Sequence, residues 1–236
     1  MPSSEVLNLV RNSRHSALIP PPSNASWGPK RTEKSHKKQP FPAPLGRFRP
    51  TQMAVGMRAV AAKREKVERR TGSRRKLKRY LERRPVPAIL GPDDDLFIID
   101  HHHLSLALWQ SDVEEAFVAL VGDLSHLSRD RFLNRMSVLG LLHAFDVHGC
   151  PICPTQLPET LGALRGDPYR DLAWSVREAG GFAKCGEPYA EFRWANFFRS
   201  RIPLSTVRRD FDFAHDRAMW VARSHDAATL PGYRRT

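Results

Sequence analysis

Asp100-His101-His102-His103 is the run whose residue types and spacing can do chemistry most directly. One carboxylate and three imidazoles bring donors, acceptors and a charge that changes between about pH 5 and 8. An imidazole can deprotonate water or protonate a leaving oxygen, so phosphodiester cleavage is a reaction this set suits. His102 and His103 are assigned that acid/base work, and Asp100 is assigned to orient a ring or hold a divalent metal. No metal-ligand set is assigned, and the cofactor is left open. The competing reading of the same rings is structural, a polar opening to a helix with some imidazoles in solvent. Three successive residues cannot share one helical face, so one or two at most address a common ligand.

Two other clusters raise metal chemistry. His143, His148, Cys150 and Cys153 form H-x4-H-G-C-P-I-C, and C-x-x-C is half of a zinc site. A second C-x-x-C is missing, and eleven residues leave little slack for four ligands to close on one ion. The alternative is a loop with two incidental thiols. Asp93, Asp94 and Asp95 stand between two apolar runs, where carboxylates serve turn geometry and solubility. Cys185 reads as a small filler.

The elements that must position the histidines follow from the flanking pattern. Residues 96–99 (LFII) read as a buried strand and 104–109 as the opening of a helix, with Asp100 as its N-cap. A strand running into a helix N-terminus makes an anion site, because free N–H groups and the helix dipole face the incoming charge. Residues 86–90, the 91–95 turn and the 96–99 strand form a hairpin. Residues 116–121 (AFVALV) read as a central strand, parallel to 96–99 by a right-handed crossover. Upstream, 51–70 is rich in helix formers with Thr51 as cap, and Ser73 caps a second helix that runs to Arg84. Downstream, helices are expected over 128–139, 157–165, 169–179, 189–200 and 211–223. Trp174, Phe192, Trp194, Phe197, Phe198 and Trp220 supply a core for that part.

The chain is 236 residues long and 41% hydrophobic, enough for one good core. Residues 1–84 hold 22 of the 38 Lys+Arg and 5 of the 25 Asp+Glu, a balance of +17, so the rest of the chain carries −4. Attraction to nucleic acid therefore acts through the N-terminal third. Nine of the 19 prolines fall in residues 1–50, whose composition predicts a disordered tail. No stretch approaches a membrane span, and three cysteines argue against a secreted disulfide framework. A cytoplasmic protein with no membrane partner is the expectation.

The order of parts resembles the ParB/sulfiredoxin superfamily, and within it the branch of ParB-like nucleases. RPTQMAVG (49–56), IDHHHLSLALW (99–109), DPYRDLA (167–173), GGFAK (180–184) and EFRWANFFR (191–199) carry the resemblance, which spans about residues 47–222. It implies an α+β fold, a small mixed sheet with helices over 47–125 and a mostly helical C-terminal lobe over 126–223. Residues 1–46 and 224–236 are then tails. It also implies phosphate or nucleotide binding at the strand-to-helix turn, which in the superfamily reads roughly D-G-H-H-R. Here His101 replaces the glycine and Leu104 the arginine, so His101, His102 and His103, with Arg58 and Lys63, are assigned to the phosphate. The reductase branch needs a cysteine in this turn, and none is present. Three functions remain: a nuclease, a non-catalytic binder of nucleic acid or nucleotide, and a nucleotide-dependent small-molecule kinase. Glu191 or Asp171 could supply a second carboxylate.

Overall fold

The computed structural model describes residues 39–235. The basic, proline-rich stretch before them lies outside the described residues. Of the residues grouped by composition with that tail, Phe41–Pro44 form a strand of the sheet, and a 3-10 turn over Leu45–Arg47 follows it. The strands in chain order are β1 (Phe41–Pro44), β2 (Phe48–Pro50), β3 (Ala54–Val55), β4 (Val86–Leu90), β5 (Leu96–Ile98), β6 (Glu115–Asp123) and β7 (Arg165–Gly166). The helices are α1 (Met57–Thr71), α2 (Arg74–Glu82), α3 (His102–Gln110), α4 (Arg129–Val138), α5 (Pro168–Glu178), α6 (Ala190–Arg199), α7 (Leu204–Arg209) and α8 (Phe211–Ala222). The fold is α+β.

Five strands make one mixed sheet in the order β1-β6-β4-β5-β2, while β3 and β7 pair in parallel beside it. Burial on both faces explains the unbroken apolar run of β5. Leu96 and Ile98 join a core with Phe48, Val60, Leu104 and Leu108. Phe97, on the opposite face, meets Phe132 of α4 at 4.3 Å between ring centroids. A separate cluster around Trp194, Phe198 and Leu172 holds α5, α6 and α8 together.

Several expectations are corrected. β6 is flanked on both sides, as expected of an inner strand, but runs opposite to β5: β4 lies between them, antiparallel to β5 and parallel to β6. The first helix begins at Met57 with Gly56 as its N-cap, not at Thr51. Residues 48–55 are taken instead by pairing with β5 and β7, and strand ladders outweigh local helix propensity there. Residues 157–165 contain only a short 3-10 turn, because Arg165 and Asp167 donate their amides to Met53 and Val55. α7 was not foreseen. Residues 224–235 pack rather than trail: Ala227 is fully buried, and the Trp194 indole donates to the Pro231 carbonyl at 2.7 Å. Trp220, expected in the core, is 65% exposed. Among the described residues no helix is long and apolar enough to cross a membrane.

Candidate functional site

The turn from β5 into α3 is built by Asp100 and His101. Asp100 is not the N-cap; its Oδ1 accepts the His101 amide at 2.6 Å. His101 is the cap, in the left-handed region at φ 64°, and no side chain caps the helix. The first-turn amides of His102, His103 and Leu104 therefore have no partner among the described residues.

The two following rings point inward and hold backbone. His102 Nε2 accepts the Thr51 N–H at 3.2 Å, while the Thr51 hydroxyl donates to the Ile98 carbonyl at 2.8 Å. His103 Nε2 accepts the Gly56 N–H at 3.2 Å. A ring nitrogen that accepts an N–H carries no proton, so both imidazoles are neutral and protonated at Nδ1. Burial pushes the His102 ring down to about 3, helped by Arg170 and opposed by Asp100. Burial and the charges of Arg170, Lys63 and Arg177 push His103 well below the usual histidine range. The Nε2 atoms of both rings are thus committed to the 51–56 backbone, leaving only Nδ1 for proton exchange.

The charges of Lys63, Lys184 and Arg84 are felt at this turn. Lys63 on α1 is held below the usual lysine range first by burial, then by the charges of Lys66, Arg84, Lys184 and Arg177. His101 is lowered by burial and by Lys63, Lys184 and Arg84, with Asp100 opposing, and its Nδ1 is buried without a partner among the described residues. Arg58 sits otherwise: its guanidinium covers the Phe211 ring at 3.6 Å, and its amide donates to Asp171 at 2.6 Å. Asp171 thereby caps the start of α1, and burial raises its carboxyl to about 6. Asp171 and His103 both touch Gly56, where a Cβ would come within 2.9 Å of Asp171 Oδ1.

Beneath the rings lies Arg170, 4% exposed, stacked at 3.7 Å on Phe192 and paired with Glu191 at 3.5 Å. Glu191 also pairs with Arg177, so it is engaged by two guanidinium groups. Arg170 Nε and Nη1 have no partner among the described residues. His143 stacks on the same Phe192 ring at 3.6 Å, and burial pushes it down to about 3.

A family model described as "Putative ParB-like nuclease" matches residues 42–200. The chain belongs to this ParB-like nuclease family. A crystal structure of protein Atu1540 from Agrobacterium tumefaciens is similar to it at 38% identity and a TM-score of 0.75, covering 84% of this chain and 98% of that one. No curated protein matches the chain.

In this ParB-like chain the five quoted motifs supply the residues that surround one turn. Thr51 and Gly56 come from the first, Arg170 and Asp171 from the third, Lys184 from the fourth and Glu191 from the last. Arg170, Arg177, Lys184, Thr51 and Gly56 were not singled out as site residues, although all but Arg177 lie inside those motifs. A divalent metal does not fit the turn: Asp100 Oδ1 and both Nε2 atoms hold amides, and no three His, Cys, Asp or Glu are grouped for an ion among the described residues. The C-x-x-C thiols are free and exposed, and His143 is half-buried among aromatic rings. Asp94 and Asp95 bind Arg47 and Arg49 at 2.7 Å each, tying the hairpin turn to β2.

Proposed function

We propose that this ParB-like chain binds a phosphate group of a nucleic acid or nucleotide at the amino-terminal mouth of α3. The observation that carries the reading is the meeting of unpartnered α3 amides with the charges of Lys63, Lys184 and Arg84 around His101. Oriented amides and cations are the two components of an anion site. Leu104 leaves the turn without its own arginine, and Lys63 of α1, Arg84 just after α2 and Lys184 replace it. His101 lines the mouth. His102 and His103 keep it in shape by holding residues 51–56, and Asp100 fixes the His101 amide.

Hydrolysis of a phosphodiester at the same mouth is a second reading, and Asp171 favours it. A carboxyl raised to about 6 beside Gly56 gains and loses a proton near neutral pH, as acid/base chemistry needs. Under this reading Asp171, rather than the committed Nε2 atoms, is the group that exchanges protons.

Calorimetric titration with inorganic phosphate and with a nucleoside triphosphate tests the first reading. Lys63→Ala with Lys184→Ala is expected to weaken both at least tenfold while the circular dichroism spectrum is unchanged; unchanged affinity overturns it. Incubation of single-stranded and duplex DNA with magnesium or manganese tests the second. Cleavage lost in Asp171→Asn supports it, and no cleavage by the wild type rejects it while leaving the first intact.

A further inference from the structure

A strongly basic surface of the described chain lies where the end of α1 meets α2. Arg69, Arg70, Lys76, Arg79, Arg83 and Arg84 line a groove of about 410 Å³ around Tyr80. That is room for roughly a dozen waters, more than a single ion needs. We infer that this groove holds the sugar-phosphate backbone of a polynucleotide.

Three observations carry the inference. First, the cations are unneutralised. Of the three acids of these helices Glu68 goes to Arg64 at 3.1 Å and Glu82 to Lys78 at 3.7 Å, Glu65 forms no ion pair among the described residues, and no described carboxylate pairs with a groove cation. Second, the groove is preformed. Arg70 and Arg84 lie over the Tyr80 ring at 4.6 and 4.2 Å, and Arg84 also donates to the Tyr80 carbonyl at 3.2 Å. Guanidinium groups held flat in this way lose less freedom on meeting phosphate oxygens. Third, the charges are serial. Lys76 and Arg79 of α2 and Arg83, its C-cap in helical conformation, fall three and four residues apart on one face, about 4.5–6 Å along the axis. A nucleic-acid strand presents a charge about every 3.4 Å of its axis, so a row about 10.5 Å long spans about three phosphates.

An anionic membrane is the other surface such charge could meet. A helix lying on a membrane needs an apolar face to insert. Leu77, Tyr80 and Leu81 of α2 instead pack into the core, and no large apolar side chain between 58 and 85 is among the exposed ones. The groove is continuous in charge with the α3 mouth, because Arg84 lines it and also lowers the proton affinity of His101 and Lys63. A strand in the groove is thereby led toward that mouth, although the groove contact stands without it.

The test is fluorescence anisotropy of labelled 20-nucleotide single strands and 20-base-pair duplexes with the full chain, over a salt series. Lys76→Ala/Arg79→Ala/Arg83→Ala is expected to weaken binding at least tenfold and to reduce the salt slope by about two to three, as loss of that many phosphate contacts requires. Arg208→Ala/Arg209→Ala/Arg217→Ala removes the same charge from α7 and α8 and is expected to cost less than twofold. Equal losses in the two variants, no binding by the wild type, or tighter binding to anionic vesicles or an acidic peptide overturns the proposal. Inorganic phosphate titrated into the groove variant is expected to bind as in the wild type, so failure of the mouth and failure of the groove are read separately.

Discussion

At His102 one ring nitrogen takes the Thr51 amide in a site too buried for charge, and that makes the residue a strut with a pH limit. Replacing it by alanine leaves a buried amide unpaired and a cavity beside Ile98, expected to cost about 2–4 kcal/mol in denaturant unfolding. His102→Gln, whose amide oxygen can accept the same N–H, is expected to cost less. The sign of the pH effect follows from the depressed proton affinities. Below about pH 6.5 the unfolded chain takes up protons on His102, His103 and His143, while folded His102 and His143 resist until about 3 and folded His103 until well below the usual histidine range. Stability is therefore present above pH 6.5 and lost as pH falls toward 3. Asp171 works the other way between about 4 and 6, since its folded proton affinity is raised, but one carboxyl opposes three rings. Thermal melting between pH 7.5 and 4.5 is expected to show a falling midpoint, with a shallower fall in His102→Gln. At His101 the issue is backbone rather than charge. A non-glycine residue at φ 64° carries about 1 kcal/mol of conformational cost. His101→Gly is expected to stabilise by about that amount, while removing a ring from the mouth.

The start of α1 is where elements depend on each other most closely. Gly56 caps the helix, gives its amide to His103 of α3, and touches Asp171 and the Arg170 backbone of α5. Its φ of −78° suits any residue, so the glycine is required by closeness rather than by dihedral angle. Gly56→Ala is expected to push α5 from α1, destabilise by about 1–3 kcal/mol and weaken phosphate binding, all measurable on one sample. Much of this arrangement is visible in the sequence as local signals. The β4–β5 hairpin, the helix after the DHHH turn, the Ser73 cap and the aromatic lobe each declare themselves within a few residues. What stayed hidden depends on partners distant in sequence. Thr51 looks like a helix cap until β5 is set beside it, and the order of β4 and β6 is fixed by packing rather than periodicity. The inward aim of His102 and His103 could not be read from the triplet, because imidazoles suit a solvent-facing turn equally well. Arg170 gave no sign of burial, since its partners Glu191 and Phe192 lie about twenty residues on.

For the molecule as a whole, the resemblance to ParB-like proteins and the separation of charge agree: the basic part of the described chain lies along α1 and α2, which lead to the α3 mouth. The central claim is that a phosphate sits on the first-turn amides of α3. Nuclear magnetic resonance with backbone-labelled protein and stepwise inorganic phosphate tests it most directly. Saturable shifts largest at the His102, His103 and Leu104 amides, abolished by Lys63→Ala with Lys184→Ala, are the expected result. Amides at 102–104 that stay still at saturating phosphate, or shifts that follow only surface arginines, would contradict it.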